Sequence, residues 1–188
     1  MVTAPLLARR LRRQGFDVEP VESPSEAIGR ADVIVCATSA IEPLFAASEL
    51  APGVTVVTVG SFDRHRCEIG PDVLHVSNQV VVDHEPTARQ NCGPLVAARA
   101  HPHAPGLEVL ELRRVLTGEA TGRGSDDDIV TYLSAGLGVQ DAAAAWSVYQ
   151  QAEARDIGRR TDWPATSASS PATEHGSTGE PAGRPPSR

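Results

Sequence analysis

The sequence predicts an α/β fold built on a doubly wound, mostly parallel sheet, and three observations carry that prediction. Ala31–Thr38 (ADVIVCAT), Val54–Val59 (VTVVTV) and Gln79–Asp83 (QVVVD) are near-continuous apolar runs, the pattern of strands buried on both faces. Helical stretches are expected to separate them, as a parallel sheet requires. Each run closes on small, hydroxyl or acidic residues at its carboxyl end.

Thr3–Gln14 reads as a helix, with Thr3 as cap, Pro5 in the first turn and Gly15 ending it. Leu6, Leu7 and Leu11 form its apolar stripe. Arg9, Arg10, Arg12 and Arg13 read as its solvated face rather than as a phosphate site. Phe16–Val21 is expected to be a short strand, and Ser23-Pro24-Ser25-Glu26 a capping-box start for a helix reaching about Arg30. Leu107–Thr117 is expected to be helical, stopping at Gly118. Ser125–Leu133 reads as a further strand, entered through Asp126-Asp127-Asp128 and left through Ser134-Ala135-Gly136. From Gln140 to about Arg155, Trp146, Val148 and Tyr149 recur at helical spacing. From Trp163 onward the chain is Pro, Ser, Thr, Gly and Ala, the composition of a disordered tail. The expected domain is therefore 1–160, followed by a tail over 161–188.

Composition excludes several function classes. The net charge of −7 argues against a nucleic-acid partner, which wants a basic footprint. All 17 basic residues are Arg, so no lysine Schiff base or lysine general base is available. Cys36, Cys67 and Cys92 form no CxxC pair, which fits a reduced, cytoplasmic compartment and argues against a zinc site. Leu6 and Leu7 are followed at once by arginines, unlike a signal peptide. No apolar run approaches the roughly 20 residues of a spanning helix, so no membrane partner is expected.

Ligands of open α/β sheets lie outside the carboxyl ends of the strands. That rule selects Thr38, Ser39, Gly60, Ser61, Asp83 and Ser134, and the small-residue turn adds Gly136. Ser61–Glu68 (SFDRHRCE), directly after a strand, is the richest ionisable run; His65 suits proton transfer at neutral pH, and Glu68 suits capping the next turn. Asp126-Asp127-Asp128 reads as turn chemistry rather than a metal site, because side chains alternate along an extended chain. His101-x-His103 has no third ligand nearby and reads as an exposed loop. Gly136-x-Gly138 fails as a dinucleotide fingerprint because position 141 is Asp, and no complete GxGxxG follows a strand anywhere.

ADVIVCATSAIEPLF (31–45), VGSFDRHRCEI (59–69), VVVDHEPTARQNCGPL (80–95) and GRGSDDDIVTYLSAGLGVQDAAAA (122–145) resemble motifs of the ornithine cyclodeaminase/mu-crystallin family, a likeness running from residue 1 to about residue 160. The resemblance implies NAD or NADP as cofactor, a small amino-acid or imine substrate, hydride transfer at Cα and a homodimer. It assigns cofactor contacts to Thr38, Ser39, Gly60, Ser61, Ser134 and Gly136, with Asp63 first and His65 second as acid/base candidates. It further implies an incomplete Rossmann-type sheet lacking the first βαβ unit and its GxGxQA loop. The C-terminal helix would return towards a substrate domain carried by an N-terminal half. On that expectation the chain is a truncated, inactive fragment; a non-enzymatic binding module of the same fold is the alternative, and a product that barely folds a third. The cyclodeaminase branch has an acid where Phe62 stands and a Gly-Lys pair where His65-Arg66 stands, so ornithine cyclisation is not expected.

Overall fold

Val33–Cys36 (β1), Thr55–Thr58 (β2), Gln79–Val82 (β3), Leu110–Glu111 (β4) and Val130–Leu133 (β5) form one sheet in the order β1-β2-β5-β3-β4. Every neighbouring pair is parallel, as the apolar runs predict. The chain is described by a computed structural model over residues 4–100 and 107–161. The Thr3 cap, the His101-x-His103 segment and the tail from Trp163 lie outside the described residues.

Register fixes where a ligand-facing edge can form. Cys36 pairs with Thr58, Thr58 with Leu133, and Leu133 with Val82. Four strands therefore end in one row, although β5 comes last in sequence and inserts between β2 and β3. The helices are Ala4–Arg12 (α1), Pro24–Ile28 (α2), Pro71–Val76 (α3), Glu85–Asn91 (α4), Gly93–Ala100 (α5), Leu112–Leu116 (α6) and Gly138–Arg155 (α7). Val54, Val56, Val80, Val82 and Leu133 of the sheet region pack with Ile69, Val73, Leu74 and Leu95 into the core.

Several expectations are corrected. β1 is not buried on both faces: Val33 and Val35 are 57% and 63% exposed while Cys36 is buried. β1 pairs with β2 alone among the described strands, and only one of its faces is covered by Ile28 and Phe45. Phe16–Val21 joins no strand; Arg12 Nε instead donates to the Val18 carbonyl at 2.7 Å. A single 3₁₀ turn, Ala47–Glu49, rather than a helix, lies between β1 and β2. Leu107–Thr117 divides into extended backbone with β4, whose Leu110 pairs with Val81, and the short α6. The strand expected from Ser125 begins only at Val130, since residues 125–128 form a turn. At α2, the Ser23 N–H donates to Glu26 Oε1 at 3.2 Å, the back-contact of the expected capping box.

The chain divides into two compact units, Met1–Ser147 and Val148–Arg188. The first contains the sheet. In the described part of the second, the Ile157 N–H donates to the Ala152 carbonyl at 2.9 Å and Arg160 pairs with Glu153 at 2.6 Å. Among the described residues no helix is long and apolar enough to cross a membrane.

Candidate functional site

The common row of strand ends leaves Thr38 and Ser39 beyond β1, Gly60 and Ser61 beyond β2, Ser134–Gly136 beyond β5 and Asp83 beyond β3. The ladder runs one step further: the Val59 N–H donates to the Cys36 carbonyl at 2.9 Å and the Ser134 N–H to the Thr58 carbonyl at 3.0 Å. Thr38, Gly60 and Ser134 thus follow adjacent strands on one edge, as a shared cleft requires.

Glu68 joins two of those strand ends. Its side chain is fully buried. Oε1 accepts from the Thr38 N–H and from Thr38 Oγ1 at 2.8 Å; Oε2 accepts from the Gly60 N–H at 2.8 Å and Ser61 Oγ at 3.4 Å. The Glu68 N–H donates in turn to Ser61 Oγ at 2.9 Å. A buried carboxylate is tolerated only when its lone pairs find donors, and here all of them are neutral dipoles. Gly60 has to be glycine: a Cβ would run into the Thr38 carbonyl and the Glu68 carboxylate. The sequence places Glu68 in the ionisable 61–68 run and suits it to capping the following turn, not to joining two strand ends. The missed signal was an acid followed by Ile69, both drawn into the core.

Asp83 does the corresponding work beyond β3. Its Oδ2 accepts from the N–H groups of Ala135 at 2.9 Å and Gly136 at 3.0 Å, and from Ser134 Oγ at 3.4 Å. Asp83, expected to touch a cofactor, is turned towards the Ser134–Gly136 backbone and sets its path. Gly136 has φ +71, a conformation that favours glycine, and a Cβ there would meet nothing within 4 Å. Both carboxylates reach buried thiols. Burial, then Glu68, pushes the Cys36 thiol up to about 11. Burial, then Asp83, pushes Cys92 up to about 12.

The loop between Ser61 and Glu68 carries the remaining ionisable groups. Asp63 Oδ1 accepts from the His65 N–H at 2.9 Å, so the two acid/base candidates share one exposed turn. The Arg66 guanidinium lies 4.8 Å from the Phe62 ring centroid. The loop backbone rests on the start of α5: a Cβ on Gly93 would run into the Arg66 carbonyl, and the Gly93 N–H donates to the Ser61 carbonyl at 3.3 Å.

The three consecutive acids behave as turn chemistry. Asp128 accepts from the N–H groups of Gly124 at 2.7 Å and Ser125 at 3.0 Å, and these bonds hold its carboxyl below the usual range. The Asp127 carbonyl accepts from the Gly53 N–H at 2.9 Å, tying the turn to the start of β2.

The edge fits the flat end of a dinucleotide. Small residues bring main chain to its surface, Thr38 and Ser39 are exposed there, and open space faces Gly136. No glycine-rich phosphate loop accompanies it in the 188 residues.

A model described as the ornithine cyclodeaminase/mu-crystallin family matches residues 3–156. A Delta(1)-pyrroline-2-carboxylate reductase of Bacillus cereus is 34% identical over 140 residues, which cover 74% of this chain and 43% of that protein. The crystal structure of a probable ornithine cyclodeaminase from Bordetella pertussis Tohama I matches with TM-score 0.73 at 34% identity, over 84% of this chain and 50% of that one. The iminosuccinate reductase of Paracoccus denitrificans, solved in complex with NAD+, matches with TM-score 0.71 at 25% identity, over 85% and 48% respectively. The chain thus spans less than half the length of the curated relatives it matches.

Proposed function

The chain belongs to the ornithine cyclodeaminase/mu-crystallin family, and from that premise we propose that its strand-end row is the nicotinamide side of an NAD(P) cleft. The reaction served is hydride exchange at the Cα of an amino acid or its imine. The observation that carries this reading is the alignment of Thr38, Gly60 and Ser134 beyond adjacent parallel strands, with main chain exposed at Gly136. When bound, the cofactor supplies the hydride acceptor or donor. Thr38, Ser39, Gly60, Ser61, Ser134 and Gly136 shape the surface that receives it. Glu68 and Asp83 orient that surface from behind. Asp63, or His65 beside it, holds the proton exchanged with the substrate nitrogen.

The 188-residue chain by itself binds the cofactor weakly and is catalytically silent, on this proposal. Pyrophosphate is anchored chiefly by a glycine-rich turn and a helix N-terminus, and no such turn occurs in these residues. The exposed Val139, Trp146, Val148 and Tyr149 of α7 suit contact with a substrate domain. Three free thiols suit a cytoplasmic setting. NADH titration followed by amide NMR is expected to move Gly60, Ser61, Ser134 and Gly136 with a Kd weaker than micromolar. Shifts confined to other strands would refute the cleft; micromolar binding would refute the weak anchoring.

A non-enzymatic binding module of the same fold is the second reading. Phe62 favours it, because it stands where the resemblance places an acid in the cyclodeaminase branch. Assays with amino acids plus NAD+ and with cyclic imines plus NADH, on a protein with the cleft completed, separate the two, since only an enzyme reduces NAD+ with the former or oxidises NADH with the latter.

A further inference from the structure

A groove on the first unit is lined by none of the strand-end residues. This groove of about 490 Å³ is lined by Arg64 of the 61–67 loop, Pro86, Arg89 and Gln90 of α4, and Val96 and Arg99 of α5. Arginines from three separate elements line it, on a chain whose net charge is −7. A shared groove lined from three elements is what distinguishes these arginines from those of α1, which share one helix.

The three are not equivalent. Arg89 is held in place, with Nε donating to Glu85 at 2.6 Å and Nη2 to the Leu107 carbonyl at 3.1 Å. Arg64 and Arg99 are exposed and make no hydrogen bond or ion pair among the described residues. Glu85 is thus the one carboxylate paired with these three guanidinia among the described residues. Guanidinium forks match carboxylate and phosphate oxygens two at a time, and they do so best when fixed in advance. Pro86 and Val96 add apolar wall to the groove, which suits a short carbon skeleton more than a bare inorganic ion.

We propose that this groove binds a small organic dianion, a dicarboxylate or a phosphate monoester, between Arg64 and Arg99 with Arg89 as the fixed donor. Asp63 and His65 flank Arg64 in sequence, so an occupied groove would also hold still the loop that carries the acid/base candidates. The binding itself does not depend on the cofactor reading and is measured without cofactor.

Isothermal titration of the full chain with succinate, with glycerol phosphate and, at matched ionic strength, with acetate tests it. Saturable one-site binding of at least one dianion is expected, with acetate about tenfold weaker or worse. Tighter succinate identifies a dicarboxylate, and tighter glycerol phosphate a phosphate ester. Arg64→Ala and Arg99→Ala should each weaken that dianion about tenfold, the loss of one charge-assisted contact. Arg10→Ala on α1 should leave it unchanged. Absence of saturation, equal binding of acetate, or two groove variants that bind like the wild type would overturn the site.

Discussion

Glu68→Gln keeps the volume of the side chain and removes one accepting edge. The four donors around it divide into two pairs, Thr38 N–H with Thr38 Oγ1 and Gly60 N–H with Ser61 Oγ. Hydroxyls can rotate, but each pair contains a backbone N–H that cannot, so the new NH₂ must face a donor whichever way it turns. Thr38 is exposed and Gly60 is buried; the amide therefore turns its NH₂ towards Thr38, where water can intervene. One charge-assisted hydrogen bond is lost, at about 2 kcal/mol. Glu68→Ala loses both edges and strands the buried Gly60 N–H, for about 4 kcal/mol. Such losses are large against a total stability of about 5–15 kcal/mol.

Urea unfolding followed by far-UV circular dichroism measures both variants, and amide hydrogen exchange locates the damage. Exchange at Gly60 and Thr38 is expected to accelerate beyond what the global loss accounts for, because the clamp is local. A Glu68→Gln protein within about 0.5 kcal/mol of the wild type, with unchanged exchange at Thr38, would refute the clamp.

Gly93→Ala and Gly136→Ala separate two reasons for glycine. A Cβ at Gly93 meets the Arg66 backbone, so that variant should lose about 3 kcal/mol and shift the 61–67 loop amides. Gly136→Ala meets nothing within 4 Å and should lose only the left-handed backbone penalty of about 1–2 kcal/mol; thermal melts in the reverse order would contradict this. Thr58 Oγ1 is buried without a hydrogen-bond partner among the described residues, so Thr58→Val should stabilise by about 1 kcal/mol, and a lowered Tm would count against it. Cys36 and Cys92 rise from 9.0 to about 11 and about 12 in the folded chain. The folded state therefore holds these protons more tightly than the unfolded state. The associated stability is whole below pH 9.0 and is lost as pH rises through about 11 and about 12. Urea midpoints should fall steadily across that range, and a flat profile would deny it.

Parallel strands were legible because burial on a sheet leaves an unmistakable pattern in VTVVTV and QVVV, and the observed β2 and β3 lie within those runs. The same pattern misled at ADVIVCAT, because an apolar run cannot say whether a strand has one neighbour or two. LEVLELRRVLT was ambiguous for a related reason: Leu and Val at mixed spacing serve a helix or a strand equally. Only the pairing of Leu110 with Val81 decides it. Helices α3, α4 and α5 cannot be bounded from the sequence because they are short and their signals, Pro71 and Pro86 in first turns, also mark turns. Beyond the strands, the positions of the candidate residues are readable from the sequence and their side-chain direction is not. An acid after a strand is visible in sequence; whether it faces a ligand or its own backbone depends on loops closing from residues far along the chain, as Asp83 does on Gly136.

That distinction bears on which oxidation state the proposed cleft prefers. Glu68 and Asp83 are satisfied by N–H and O–H dipoles, and among the described residues no guanidinium is bonded to either. Dipoles solvate a carboxylate without cancelling its charge; burial is the larger cause of the raised Cys36 and Cys92 thiols, and the neighbouring Glu68 and Asp83 charges add to it. The edge is therefore a poor place for phosphate and a favourable one for a cationic pyridinium ring, since like charges repel and opposite ones attract at short range in a partly buried setting. The chain should bind NAD+ more tightly than NADH at equal ionic strength, and Glu68→Gln should narrow the difference. Ligand-observed NMR titrations give both affinities; equal values in the wild type, or a gap that the substitution leaves untouched, would show that these carboxylates shape the edge without setting its charge.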